Sequence, residues 1–389
     1  MGGAVSLKTA IWLYLFLFLA FFDLHAQYPI LTPFAISLGA APTFIGWMMG
    51  IYSLTHLPGN LIAGTKIDKH GSKRYIIFSL TTAGILLLLQ AYIDTPWQLL
   101  ILRALSGFVL AFLSPACMTL LAQLSSDPTT QGKYMSGHGV VHTLASVVSP
   151  AAGAFIVAGI GFSGTFQILG ILLIITGLMA FFTIPAVKAA STASAKVLPP
   201  MEGRFLPISW RYFVLPLVIA CSQGVLFFEL PLRGSGSASI LSTGLLFSII
   251  SLGALTTLSM LFLNRYSTKL RLAAGVLLMA ISFFLLASVP ELPLWLVLYV
   301  LGTSKGIIFP ALATMFVQLS RGARLGRIFS IQSIATSLGS FVGPIAAGQI
   351  RMEISPYFLA FLVLMIGLLF LPFSKQVRTS TLTPEPNHI

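Results

Sequence analysis

Charged residues are scarce in this chain, and acidic residues are the scarcest. Of the 389 residues, 8% are charged, with 9 Asp and Glu against 22 Lys and Arg, whereas 57% are hydrophobic and the mean hydropathy is +0.96. A water-soluble domain has about 25% charged residues, because its surface must face water. The composition therefore excludes an ordinary soluble protein and predicts that lipid surrounds most of the chain.

Cysteine is scarce, and the common catalytic signatures are missing. Cys117 and Cys221 are the only thiols, and each lies in the middle of an apolar run, so we interpret them as packing residues. The sequence contains no HExxH zinc motif and no GxxxxGK[ST] phosphate loop. We also find no grouping of nucleophile, base and third residue. These absences predict a protein that is not an enzyme, needs no metal or cofactor and is not driven by ATP.

Twelve long apolar runs dominate what remains. Each is long enough to cross the hydrocarbon core, which takes about 20 residues at a rise of 1.5 Å per residue. The runs lie at 9–34, 44–65, 74–93, 97–124, 134–159, 163–185, 211–232, 238–263, 270–289, 292–318, 327–350 and 356–374. They predict an all-α, polytopic membrane protein with twelve transmembrane helices.

The runs fall into two sets of six. Residues 1–185 are predicted to form an N-terminal six-helix bundle and residues 211–374 a C-terminal one. The basic, proline-containing stretch 186–210 is the predicted cytoplasmic linker, and residues 375–389 the cytoplasmic tail.

The net charge of +13 is distributed by loop. Lys and Arg concentrate in the loops after the second, fourth, eighth and tenth runs and in the linker, whereas the alternate loops carry Asp94, Glu291 and Glu353. The positive-inside rule then places both termini and the linker in the cytoplasm. This placement indicates membrane topology, and no nucleic-acid partner is predicted.

The two halves are related in sequence. At a spacing of about 195 residues, Gly107, Pro115 and Gln123 correspond to Gly302, Pro310 and Gln318, and Pro150 corresponds to Pro344 with a one-residue adjustment. Internal duplication of six-helix halves is typical of secondary transporters.

The loop after the second run, GTKIDKHGSKR, resembles the GxxxDRxGRR loop of the major facilitator superfamily, although Ser72 stands where a basic residue is usual. The matching positions are Gly64, Asp68, Lys69, Gly71, Lys73 and Arg74. The resemblance implies two six-helix bundles that enclose a central cavity and expose it to each side in turn. The glycines are expected to form a tight turn, and Asp68 to meet a helix end or a basic partner across the halves. That the bases only set topology remains an alternative.

In the fourth run, Arg103 and Gly107 resemble the superfamily's RxxxG signature. A lone Arg in hydrocarbon costs at least about 2.5 kcal/mol, so Arg103 is expected to face a wet cavity or a carboxylate such as Asp23. The resemblance implies a part in proton or substrate coupling for Arg103. A structural pair, or snorkelling to the interface, is the alternative.

Small residues and proline recur in the fifth and eleventh runs. The predicted helix-packing positions are Pro150, Gly153, Gly339, Gly343 and Pro344. Glycines one turn apart let helices approach closely, and proline bends them. In the superfamily a Gly-Pro motif in the fifth helix is associated with exporters, but here the cleaner copy, GSFVGP, lies in the eleventh, and packing alone explains these residues equally well.

Few polar side chains lie inside the runs. Those proposed for proton coupling or substrate binding are Asp23, His25, Gln27, Arg103, His142, Gln223, Glu229 and Lys305. Asp23 is favoured over Glu229 as the proton carrier because it lies deeper in its helix, and Lys305 indicates an anionic substrate or a carboxylate partner. The histidines are expected mainly to pack, and Phe227 and Phe228 to face lipid or the membrane interface.

We therefore predict a monomeric secondary transporter of the cell membrane whose partners are a small-molecule substrate, protons and membrane lipid. Proton-coupled efflux is favoured because the cavity is expected to be mostly apolar and aromatic. Proton-coupled uptake and lipid flipping by the same fold are the alternatives.

Overall fold

The structure is a computed structural model that describes residues 2–124, 127–184, 210–234, 237–320 and 325–371. Within these ranges the chain is helical apart from short turns, and it contains no strand. This confirms the predicted all-α class.

The predicted linker, except for Trp210, and the predicted tail at 375–389 lie outside the described residues.

The described ranges form thirteen α-helices and two short 3-10 turns. The helices are α1 (Gly2–Ala26), α2 (Tyr28–Ser37), α3 (Pro42–His70), α4 (Ser72–Gln90), α5 (Pro96–Leu110), α6 (Leu113–Gln123), α7 (Pro128–Thr183), α8 (Arg211–Glu229), α9 (Ser237–Ser259), α10 (Thr268–Ser288), α11 (Leu294–Ser320), α12 (Leu325–Ile350) and α13 (Pro356–Leu369), and the 3-10 turns are Leu230–Arg233 and Leu261–Arg265.

These helices make twelve membrane spans. Helices α1 and α2 together form span 1, and α5 and α6 form span 4. Helix α7 holds spans 5 and 6, because Gly161 breaks it with a φ of +74°, a backbone conformation that other residues rarely adopt. The remaining helices make one span each, and the predicted count of twelve is confirmed.

Hydropathy alone finds fewer spans. Nine segments of the described residues are long and apolar enough to cross a membrane, and one of them, Gly137–Thr183, is 47 residues long and contains two spans. Helix α3 is absent from these segments, and its second half is rich in polar and basic residues. Helix α13 is also absent, because only 14 residues are helical.

The spans pack as two six-helix bundles. In the first, α1 and α4 lie on α7 while α3 lies on α5; in the second, α8 lies on α12 and α13 while α11 lies on α9 and α10. The repeated glycines make equivalent contacts, since Gly107 lies against the backbone carbonyl of Tyr52 and Gly302 against that of Ile250. The sequence repeat is therefore also a repeat of helix packing.

The two bundles meet near one face of the protein. We call the face that carries the basic loops after spans 2, 4, 8 and 10 the basic face, and the other the opposite face. A Cβ atom added at Gly46, near the start of α3, would lie 2.5 Å from the carbonyl oxygen of Pro344 in α12. A Cβ atom added at Gly244 in α9 would lie 2.5 Å from the carbonyl oxygen of Pro150 in α7. Two related glycine contacts thus join the bundles near the opposite face.

Towards the basic face the same helix pairs separate. Helices α3 and α12 border a hollow of about 430 Å³ lined by His56, Asn60, Phe329 and Gln332, among others. Helices α7 and α9 border a second cavity in the middle of the protein. The space between the bundles is therefore closed at the opposite face and widens towards the basic face.

We predict that Gly46→Val opens the opposite face, because the valine side chain would overlap the backbone of α12 and hold the bundles apart. The distance between spin labels at Asp94 and Met352, measured by double electron–electron resonance, should lengthen; both positions are exposed loops of that face, one in each bundle. The native thiols Cys117 and Cys221 are buried and should not interfere.

Gly139→Val in α7 is the matched control, because no atom lies within 4 Å of its added Cβ. An unchanged distance in Gly46→Val would contradict the assignment of this contact as the closure between the bundles.

Candidate functional site

A buried hydrogen-bonded chain links an acid to a base inside the first bundle. The Gln27 side-chain amide donates to Asp23 Oδ1 at 2.9 Å, and Arg103 Nη1 donates to Gln27 Oε1 at 3.0 Å. The three residues are only 2%, 3% and 4% exposed, in the order Asp23, Gln27, Arg103. Arg103 thus faces a carboxylate, as predicted, but reaches it through Gln27 and not by a direct ion pair.

A helix break places Gln27 in this chain. Helix α1 ends at Ala26 and α2 begins at Tyr28, with Pro29 in its first turn. Because proline has no N–H, Pro29 cannot continue the hydrogen bonding of α1. Asp23 and Gln27 remain one turn apart and share a helix face. The break in span 1 therefore lies at Gln27, one turn after Asp23.

Arg103 has a second partner that the sequence analysis missed. Its guanidinium carbon lies 4.6 Å from the ring centre of Tyr52 in α3. The contact is possible because Gly107, one turn after Arg103, lets α5 approach the backbone of α3. A desolvated cation–π contact contributes about 2 kcal/mol, which offsets part of the cost of burying Arg103. The RxxxG spacing thus has a direct geometric reason.

The central cavity lies between the bundles and has a volume of about 400 Å³. It is bordered by α1, α2, α7, α8, α9, α11 and α12. The polar and aromatic side chains that line it include His25, Tyr28, His142, Ser146, Gln223, Phe227, Phe247, Ser251, Lys305 and Ser340. None of the described lining residues is acidic. The cavity therefore combines basic and aromatic groups.

Aromatic rings from both bundles meet in this cavity. Tyr28 of the first bundle stacks on Phe227 of the second, with ring centres 4.4 Å apart and planes 19° from parallel. Phe247 lies 5.6 Å from Phe227. The expectation that Phe227 faces lipid is wrong, because the cavity lies on its side of α8; Phe228 is also fully buried.

Lys305 is half-buried and enters the cavity from α11. Its Nζ atom lies 5.9 Å from the ring centre of Phe227. Among the described residues it has neither an ion pair nor a hydrogen bond. The sequence predicted either an anionic substrate or a carboxylate partner for Lys305. No carboxylate partner is found among the described residues.

The two predicted histidines lie beside each other in the cavity wall. The rings of His25 and His142 are 5.1 Å apart and nearly perpendicular. Nδ1 of His25 is 2.7 Å from the carbonyl oxygen of Phe21. Gln223 lines the same cavity from α8. Four of the predicted site residues thus line one cavity, namely His25, His142, Gln223 and Lys305.

Glu229 does not join them. It lies at the end of α8, near the opposite face, where Arg351 Nε is 2.9 Å from its Oε2. Both residues belong to the second bundle, and neither lines the cavity. The structure places Glu229 in a local ion pair. Asp23, Gln27 and Arg103 do not line the cavity either, and their hydrogen-bonded chain adjoins it through Tyr28, the residue after Gln27.

The loop that matches the superfamily motif joins α3 to α4. Gly71 forms its turn with a φ of +85°. Gly64 lies inside α3 and takes no part in the turn, so that expectation is wrong for this residue. Lys73 Nζ donates to the carbonyl oxygen of Ile184 at 2.5 Å and so binds the end of span 6.

The acid of this loop is free in the state described. Asp68 is exposed and has no ion pair or hydrogen bond within the described residues, and the predicted partner across the halves is not found there. Lys69 and Arg74 are also exposed. These side chains are exposed at the basic face, where the space between the bundles widens.

The five predicted packing residues all lie at close helix contacts. A Cβ atom added at Gly153 would lie 2.5 Å from the carbonyl oxygen of Ala26. Gly339 and Gly343 lie against backbone carbonyls of α8. The two prolines provide the carbonyl oxygens of the contact between the bundles. Packing is thus an observed role of these residues.

The residues that were missed, Tyr28 and Tyr52, had a signal in their depth. Counted from the opposite face, Gln27 and its neighbour Tyr28 lie about two to three turns inside span 1. Tyr52 and Arg103 lie at a similar depth in spans 2 and 4. A tyrosine at the same depth as a buried arginine is a candidate partner, because its ring and hydroxyl suit a cation.

Two bundles that enclose a basic and aromatic cavity beside a buried acid–amide–base chain define a multi-pass membrane transporter. The comparisons identify the family: the Major Facilitator Superfamily profile matches residues 13–344, and the chain belongs to that superfamily. Membership supports transport and not catalysis as its activity.

Curated relatives match over most of the chain. The Multidrug resistance protein MdtG of Escherichia coli is 25% identical over 323 residues, 78% of each protein. The Quinolone resistance protein NorA of Staphylococcus aureus is 23% identical over 379 residues, 94% of this chain and 96% of NorA.

Solved structures show the same fold. A bacterial homologue of the human lysosomal transporter Spinster, in an inward-facing and unoccupied conformation, superposes with a TM-score of 0.74 at 14% identity and covers 95% of both chains. The nucleoside transporter NupG superposes with a TM-score of 0.70 at 17% identity and covers 93% of this chain and 98% of its own.

We predict that Gln27→Leu destabilises the protein by about 3 kcal/mol, because Asp23 loses its amide donor and Arg103 its amide acceptor in a buried site. The measurement is thermal unfolding of the purified protein in detergent. Gln167→Leu is the control, since that glutamine donates to Tyr92 in an exposed hydrogen bond and should change the unfolding temperature little. Equal effects of the two substitutions would contradict the structural importance of the Asp23–Gln27–Arg103 chain.

Proposed function

We propose that this transporter exports small amphipathic molecules across the cell membrane by alternating access, in exchange for protons that Asp23 carries. The observation that carries the proposal is the buried Asp23–Gln27–Arg103 chain, which adjoins Tyr28 in the wall of a cavity that widens towards the basic face. Each chain encloses its own cavity, so the transporting unit is a monomer.

The direction of transport is inferred from the distribution of basic residues and from the names of the relatives. The positive-inside rule makes the basic face cytoplasmic, together with both termini, and the described state then faces inward. A cavity open to the cytoplasm loads substrate there. The relatives NorA and MdtG are named for resistance to quinolones and to multiple drugs, which supports export. The aromatic lining suits molecules of that kind.

Proton coupling needs a group whose charge changes while it is shielded from both sides. When Asp23 is ionised, its charge is balanced by Arg103 through the Gln27 amide. When Asp23 is protonated, the same buried chain carries one more positive charge. The free energy of each conformation therefore depends on the proton, since charges interact strongly in a low-dielectric interior.

The chain is also linked to the contact between the bundles. Gln27 directly precedes Tyr28, whose ring stacks on Phe227 of the other bundle. Helix α2, which starts at Tyr28, also packs on α9 of the second bundle. A change in the Asp23–Gln27 hydrogen bond can thus alter how the bundles meet, and the bundles 1–185 and 211–374 would rock about this region with the linker 186–210 between them.

We predict that Asp23→Asn loses proton-driven export and keeps exchange. Inside-out vesicles with an acidic lumen should accumulate a fluorescent quinolone at least about tenfold less in this variant, because an amide cannot carry the proton. Exchange of external for internal quinolone without a pH gradient should persist. The exposed Asp94→Asn is the control and should transport like the wild type.

Wild-type accumulation that requires the reverse pH gradient would show proton-coupled uptake instead. Movement of fluorescent lipid without movement of any quinolone would show a flippase. Full gradient-driven accumulation by Asp23→Asn would remove Asp23 from the coupling mechanism.

A further inference from the structure

The cavity has a charge pattern that the proposed function leaves unused. Lys305 is about three turns inside α11, at a depth where an unpaired ammonium is costly. His25 and His142 line the same cavity, and both are basic groups. None of the described lining residues is acidic. Among the described residues, the cavity therefore holds a cation without a counter-ion.

The space around Lys305 has a second property. The ring centre of Phe227 is 5.9 Å from Lys305 Nζ, and Tyr28 and Phe247 adjoin that ring. A volume of about 400 Å³ is within the range of pockets that bind drug-sized molecules. A drug-sized molecule in this cavity can therefore contact both the aromatic rings and the Lys305 ammonium.

From these two properties we infer that Lys305 is the counter-ion for the acidic group of an organic anion, whose aromatic body lies against Tyr28, Phe227 and Phe247. The inference rests on the proposed function, since it names the substrate class of the same cavity. The anion supplies the missing negative charge, and its body replaces lipid or water on the aromatic rings.

Other occupants fit less well. An organic cation would meet the like charge of Lys305 in a site with no acid among its described lining residues. A neutral aromatic molecule would cover the rings but leave the ammonium with only an aromatic face as its partner. A small inorganic anion would neutralise Lys305 and leave the aromatic surface uncovered. An aromatic anion satisfies both groups.

The test compares three probes with the same ring system and different charge: 1-naphthylacetate, 1-naphthylacetamide and 2-(1-naphthyl)ethylamine. Binding to the purified full-length protein in lipid nanodiscs is measured by isothermal titration calorimetry. We expect the acetate to bind at least about tenfold more tightly than the amide, and the amine more weakly than the amide.

Variants of the cation then assign the preference to one side chain. Lys305→Met should lower the affinity for the acetate about tenfold, to that of the amide, and leave amide binding unchanged, which also shows that the cavity is intact. Lys305→Arg keeps the charge and should keep the preference. Lys8→Met removes an exposed lysine outside the cavity and should have no effect.

Equal affinities for acetate and amide in the wild type would overturn the inference, as would a preference for the acetate that survives in Lys305→Met. Absence of binding by all three probes would also overturn it. These outcomes are separate from those for export: quinolone accumulation without anion preference contradicts only the substrate class, and anion preference without gradient-driven accumulation contradicts only the proposed function.

Discussion

A charged side chain is stable inside a bilayer only where polar or aromatic protein groups, or water in a cavity, take the place of bulk water around it. The structure depends on satisfying this requirement at three buried or partly buried charges. Arg103 lies between the amide of Gln27 and the ring of Tyr52. Glu229 pairs with Arg351 in the second bundle. Lys305 enters the cavity between the bundles. Each of these charged residues is accommodated by groups from elements that are distant in sequence. The buried charges therefore also specify which helices must pack together.

Glycine residues allow these helices to pack closely. Gly107 brings α5 onto α3 and so places Arg103 on its aromatic partner, and Gly46 and Gly244 bring the two bundles together near the opposite face. The halves separate along the same helix pairs towards the basic face. Small residues at helix contacts therefore support the Asp23–Gln27–Arg103 chain. They also close the opposite face of the cavity through the contacts at Pro150 and Pro344.

The repeated, one-dimensional features of this fold were predictable from the sequence. Apolar runs and the basic loops between them predicted the twelve spans, and the cost of a lone Arg predicted that Arg103 would face a wet cavity or a carboxylate such as Asp23. Three-dimensional details were not predictable: Gln27 as the link depends on the helix break at Pro29, and Phe227 was predicted to face lipid because a composition pattern does not reveal which side of α8 meets the cavity. Gly64 was predicted in a turn because the sequence does not show that α3 continues to His70.

Control of the two bundles by the proton on Asp23 can be measured directly. Spin labels at Asp94 and Met352 report the separation of the bundles at the opposite face, in nanodiscs, between about pH 5 and pH 8, where a shielded carboxyl group can titrate. If Asp23 carries the proton, the distance distribution changes with pH in the wild type and in Glu229→Gln and is independent of pH in Asp23→Asn. A distribution that changes equally with pH in Asp23→Asn would contradict the coupling of this residue to the alternation of the bundles.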